Sequence, residues 1–110
     1  MPLVKVYVDT AIGAGKSSKV VECLSLLRGL ICKYLNVETK SCQISVVMVQ
    51  GLPDQAAVSV EICLLPKTER TRELILSVCN QIRDMLLEEL QEEVAVRVVQ
   101  LDPETYVVLR

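Results

Sequence analysis

The sequence predicts an α+β domain in which a four-stranded mixed sheet carries two helices on one face, built from two β-α-β units in tandem. Four short runs rich in valine and isoleucine alternate with two long segments whose apolar residues recur every three or four positions. The pattern also repeats: Val4 maps onto Val58 with a shift of 54 residues, and Leu24, Leu27 and Ile31 map onto Ile75, Val78 and Ile82 with a shift of 51. Finally, 51% of the 110 residues are apolar, yet the only aromatics are three tyrosines, so the core has to be made of valine, leucine and isoleucine. One domain, 1–110, is expected, with repeats at about 2–50 and 56–102 and a tail at 103–110.

The first strand is read at residues 4–8, where Val4, Val6 and Val8 alternate with Lys5 and Tyr7. A glycine-containing loop from Thr10 to Gly15 leads into a helix with Val20, Val21, Leu24, Leu27, Ile31, Tyr34 and Leu35 inward, and Ser17 or Ser18 is expected to cap it. Residues 44–49 form the second strand, and Gly51-Leu52-Pro53-Asp54 is the turn that ends the first unit. The second unit begins with a strand at 58–62 and a short loop around Pro66-Lys67. Its helix has Leu74, Ile75, Val78, Ile82, Met85 and Leu86 inward, and its last strand lies at 94–99. Each unit is a parallel strand pair joined by a crossover helix. The helix-free face of the sheet, with Leu3, Tyr7 and Cys63, is expected to be too apolar for water and to be covered by oligomerisation.

Composition excludes several function classes. A net charge of -2 and the lack of interleaved aromatics leave neither a basic surface nor a stacking platform, so no nucleic-acid partner is expected. No uninterrupted apolar stretch of about 20 residues is present, so no membrane partner is expected and the protein is read as cytoplasmic. The five cysteines lack a C-x-x-C pair and are read as buried free thiols in a reducing compartment. With no histidine anywhere, His-assisted nucleophiles and most zinc or transition-metal sites drop out. The Gly-Ala-Gly-Lys-Ser string is no phosphate loop, because Thr10 stands where that motif needs glycine. Glu88, Glu89, Glu92 and Glu93 are read as a solvated helix exit, with no spacing that would surround an ion.

Pro2 stands directly ahead of the first strand. If Met1 is removed, the chain begins with a secondary amine whose ordinary pKa of about 8 makes it a general base near neutral pH. The alternative is that Pro2 only leads into a strand, where a missing N–H costs nothing. A retained Met1 would turn the amine into an amide and remove the base.

A start of Met-Pro, then a strand, an acidic or glycine-containing loop and a crossover helix, with the strand and helix plan repeated once within about 110 residues, resembles the tautomerase superfamily, which includes 4-oxalocrotonate tautomerase, 5-carboxymethyl-2-hydroxymuconate isomerase and macrophage migration inhibitory factor. The resemblance implies a tautomerase-like fold, a homotrimer and Pro2 as the catalytic base. Gly15-Lys16-Ser17 is similar to the family's basic entry to the helix, so Lys16 is implied as a carboxylate binder, a point charge where the family has the fork of arginine. Val96-Arg97-Val98 matches the setting of a second family arginine, implying Arg97 as another substrate binder. Taken alone, Lys16 is equally a solvated loop lysine, and Arg97 either lines a site or pairs with a glutamate. Tyr106 either closes a neighbouring subunit's pocket or covers a subunit seam.

Two functions follow. The first is a cofactor-independent tautomerase or isomerase that moves a proton in a small 2-oxo or 2-hydroxy acid, with Pro2 as base, Lys16, Arg97 and Tyr106 as substrate binders, and neither metal nor organic cofactor. The second is a non-catalytic small-molecule-binding or regulatory module of ferredoxin-like topology, in which Pro2 merely starts a strand.

Overall fold

The computed structural model describes residues 2–110; Met1, on which N-terminal processing turns, lies outside the described residues. The elements are β1 (Leu3–Asp9), a 3₁₀ turn at Thr10–Ile12, α1 (Ala14–Leu35), a second 3₁₀ turn at Thr39–Ser41, β2 (Gln43–Val49), β3 (Val58–Leu64), α2 (Arg72–Leu90) and β4 (Val94–Gln100). They form one mixed sheet in the order β2-β1-β3-β4, with β1 parallel to β2, β3 parallel to β4, and β1 antiparallel to β3. Each unit pairs its own two strands directly. A ferredoxin-like fold splits its β-α-β units by inserting another strand between them, so the strand order excludes that topology.

Alternation along the strands decides which face is buried. Val4, Val6, Val8, Val58, Val60, Ile62 and Leu64 are all at most 2% exposed and point to one face. Val20, Leu27, Ile31 and Leu35 of α1 and Val78, Ile82, Leu86 and Leu90 of α2 pack against them in a single cluster. Burying each such side chain contributes about 1.5–3 kcal/mol relative to leaving it in water. Val21, expected inward, is 55% exposed. It stands one residue past Val20, about 100° around the helix, and lines a shallow groove with Met48 of the edge strand β2.

The two helices enter differently. Gly13 adopts φ 91° and ψ 162°, a conformation essentially reserved for glycine, and so turns the chain from the 3₁₀ turn straight into α1. The helix therefore starts at Ala14 and takes Lys16 into its first turn. Ser17 is no cap; it lies inside the helix and its hydroxyl donates to the Gly13 carbonyl at 3.0 Å. At α2, Thr71 caps in the ordinary way, its Oγ1 accepting from the Leu74 N–H at 3.2 Å, with Glu73 in the first turn against the positive end of the dipole. Both helices stop at left-handed residues, Asn36 and Gln91.

The helix-free face is less apolar than the sequence predicts. Register places Ser45, Lys5, Glu61 and Arg97 in one row across the four strands, and Gln43, Leu3, Cys63 and Val99 in a neighbouring row. The Tyr7 hydroxyl donates to Glu61 Oε1 at 3.3 Å, within that charged band. Leu3, Cys63 and Val99 keep one end of the face apolar, and Val47, Tyr7 and Ala95 resume it on the other side of the charged row. Among the described residues, no helix is long and apolar enough to cross a membrane.

Candidate active site

Pro2 is buried at the head of β1, where its carbonyl accepts a hydrogen bond from the Gln43 N–H at 3.1 Å. It lines an open cavity of about 620 Å³ whose wall also holds Arg28, Lys40, Cys42 and Tyr106. Four separate segments meet there. α1 runs back antiparallel to β1, which brings Arg28 from its second half to the start of the sheet. The 3₁₀ turn before β2 supplies Lys40, and Cys42 follows it. The tail after β4 curls over this end through a turn in which the Tyr106 N–H donates to the Asp102 carbonyl at 2.9 Å, and Val108, Leu109 and Arg110 continue along the rim.

The site is cationic. Arg28 is half-buried, and Lys40 is exposed with only a loose ion pair to Glu38 at 3.5 Å. The thiol of Cys42 is pushed up to about 12: burial is the main cause, the neighbouring Cys32 adds to it, and the positive charge of Arg28 opposes it.

Arg70 lies at the same end of the sheet. The antiparallel register pairs Leu3 with Cys63, so Leu64 falls across from Pro2, and Arg70 Nη1 donates to the carbonyl of the next residue, Leu65, at 2.7 Å. The side chain is only 4% exposed, and neither its Nε nor its Nη2 has a hydrogen-bond partner among the described residues. A buried guanidinium with two idle donors and no carboxylate is unfavourable unless an anion meets it.

The residues expected from the sequence are divided by this geometry. Pro2 and Tyr106 share the cavity. Lys16 sits beyond the far end of β1, about 20 Å away along the strand, and its Nζ pairs with Glu92 at 2.5 Å. Arg97 lies on the helix-free face, is exposed, and its Nη1 donates to Ser59 Oγ at 2.8 Å. Neither is on the Pro2 cavity of its own chain. Arg28 and Lys40 line the cavity without any signal in the sequence that singles them out. Arg28 reads as one more polar residue on an amphipathic helix, and Lys40 as a loop residue. Arg70 did leave a signal: the 54-residue strand shift carries Lys16 onto Arg70, and each is followed by a hydroxyl residue.

No family model matches the chain, and no curated protein matches it. Solved structures do match. A fused 4-OT solved as a symmetric trimer is 19% identical with a TM-score of 0.73, covering 97% of this chain and 93% of that one. A macrophage migration inhibitory factor-like protein from Entamoeba histolytica is 10% identical with a TM-score of 0.70, covering 97% and 94%. A domain of unknown function from Sebaldella termitidis is 13% identical with a TM-score of 0.77, covering 98% and 95%. Likeness at such identities is likeness of architecture, and it matches the duplicated β-α-β sheet found here. The chain has the fold of the tautomerase superfamily.

Proposed function

We propose that this protein is a cofactor-independent tautomerase or isomerase that moves a proton between the carbon and oxygen ends of a small 2-oxo or 2-hydroxy acid, with the Pro2 amine as base. The observation that carries this reading is Pro2 in the wall of a cationic cavity together with Arg28, Lys40 and Tyr106. Removing a proton from carbon next to a carbonyl leaves an enolate, so the reaction needs a near-neutral base and fixed positive charge where the oxyanion develops. Arg28 and Lys40 supply that charge and Tyr106 offers a hydroxyl; Arg70, at the same end of the sheet but outside the cavity lining, has idle donors that reach the substrate carboxylate only if the wall between them opens. Lys16 and Arg97 enter only across an interface, from another copy of the chain. A homotrimer is the assembly this reading expects, as in the fused 4-OT trimer.

The test pairs intact-mass analysis of natively expressed protein with ketonisation rates on a simple enol-pyruvate. Met1 is expected to be absent, and Pro2→Ala is expected to lower kcat/KM by about 10²-fold or more. A retained Met1, or equal rates for the two proteins, refutes Pro2 as the base and leaves a binding module.

A further inference from the structure

The Pro2 cavity is larger than a proton transfer on a small acid needs. At roughly 30 Å³ for each water-sized group, a three-carbon oxo acid fills about 180 Å³, whereas the open cavity measures about 620 Å³. Its lining also divides into two chemistries. Arg28 and Lys40 are cationic, while Leu3, Ile44, Val108 and Leu109 are aliphatic. Leu3 opens β1, Ile44 stands at the start of β2, and Val108 and Leu109 belong to the tail, so three separate parts of the chain bring aliphatic side chains to one place.

The tail is built in two parts. Up to Tyr106 it is a hydrogen-bonded turn: the Leu101 N–H donates to the Leu64 carbonyl at 2.8 Å, the Glu104 N–H to Asp102 Oδ1 at 3.0 Å, and the Thr105 N–H to the Asp102 carbonyl at 3.1 Å. Residues 107–110 have no regular secondary structure, and Val108 and Leu109 are 48% and 92% exposed although both line the cavity. Aliphatic side chains left in water at the mouth of a cavity gain when something apolar enters it and removes their surface from water.

We propose that the acid taken by this cavity carries an aliphatic chain, with its charged head at Arg28 and Lys40 and its chain covered by Val108 and Leu109 as specificity-determining residues. Rotation about a few backbone bonds past the fixed turn brings these two side chains down on the ligand, and no strand or helix has to move. Tyr106 is the one aromatic among the described lining residues, so the wall offers little for a ring to stack on, and an aliphatic chain suits it better. The inference rests on the reading of the cavity as the site of a small acid, and it holds whether or not Pro2 is the base. For a tautomerase it names the substrate class, a 2-oxo acid with an aliphatic chain.

Nuclear magnetic resonance titrations of the full chain with butanoate, hexanoate and octanoate test this directly. Affinity is expected to rise about tenfold for each added pair of methylenes, because burying one methylene is worth a factor of about four. The largest shifts are expected at Arg28, Lys40, Val108 and Leu109. Hexan-1-ol, which has a chain and no charge, is expected to bind at least about tenfold more weakly than hexanoate. The double variant Val108→Ser, Leu109→Ser changes exposed positions and keeps the fold. In it the gain for each pair of methylenes is expected to fall by at least about half, with butanoate binding unchanged. Equal affinities along the series, an undiminished gain in the double variant, hexan-1-ol as tight as hexanoate, or no binding of any acid each overturns the proposal. Turnover of a short enol acid beside a flat series removes this inference and leaves the tautomerase reading. A rising series beside a Pro2→Ala protein as fast as wild type removes Pro2 as the base and leaves this inference standing.

Discussion

Replacing Arg70 with methionine separates a functional arginine from a structural one. The substitution keeps an unbranched apolar stem and removes the guanidinium with its charge. In the folded protein, two guanidinium nitrogens are buried without partners, and one donates to the Leu65 carbonyl at 2.7 Å. Each idle buried donor costs about 1–3 kcal/mol, so removing both relieves about 2–6 kcal/mol. Against this, losing a bond from a charged donor costs about 1.5–3 kcal/mol, and stranding the Leu65 carbonyl costs another 1–3 kcal/mol or so. The midpoints cancel. Arg70→Met is therefore expected to leave stability within about 1 kcal/mol of wild type, although truncating an ordinary buried residue costs about 2–5 kcal/mol. Activity is expected to respond quite differently. Removing one charged contact to the reacting substrate costs about 2.7–4 kcal/mol of transition-state stabilisation, or 10²–10³-fold in kcat/KM. Urea denaturation and enol-pyruvate ketonisation on the same preparation measure the two effects. A loss of more than about 3 kcal/mol in stability with unchanged kcat/KM would make Arg70 a structural cation and refute its place at the substrate.

Gly13→Ala is expected to cost about 1–3 kcal/mol through backbone strain alone, since φ is 91° and an added Cβ meets nothing within 4 Å; wild-type stability in a denaturant melt would contradict that φ. The Cys42 thiol, raised from 9.0 to about 12 first by burial, then by Cys32 and against Arg28, keeps its proton in the fold at pH values where the unfolded chain has lost it. The unfolded state thus binds fewer protons in that window, so stability falls as pH rises from about 9 toward 12, and Cys42→Ala is expected to flatten the fall; parallel urea-midpoint curves for the two proteins would refute it. The Lys16–Glu92 pair is 36% and 26% exposed in its side chains and is screened by solvent. A double-mutant cycle of Lys16→Met with Glu92→Gln is expected to give a coupling below about 1 kcal/mol, and a coupling above 2 kcal/mol would make it a clamp between the two units.

The sheet and helices were legible because each bears its own local signal. Period-two valines mark the strands and the shift between Val4 and Val58 marks the duplication. Helix entry at α1 was misplaced because Ser17 and Ser18 resemble caps, while the conformation that starts the helix belongs to Gly13 and has no polar signature. The charged row Lys5–Glu61–Arg97 was hidden for a different reason: each strand shows a single isolated charge, and only the register lines them up. Pro2 draws attention in the sequence because its chain position would give it chemistry. Arg28 and Lys40 do not, since nothing local in a helix or a loop states which end of which strand it will meet.

The duplication has a consequence for the chain's covalent order. The shift that maps Val4 onto Val58 maps Pro2 onto Ala56, and because β1 and β3 are antiparallel these two strand starts lie at opposite ends of the sheet. The first start lies at the amino end of the chain and the second follows an exposed connection that includes Gly51 and Gln55. Arg110 and Pro2 line the same cavity. Joining the ends and reopening the chain ahead of Ala56 would move the α-amino group to the pole where Lys16 and Glu92 meet, with every element kept in place. Which pole carries an amine is thus decided by where the chain is cut, and the fold itself is indifferent to the choice.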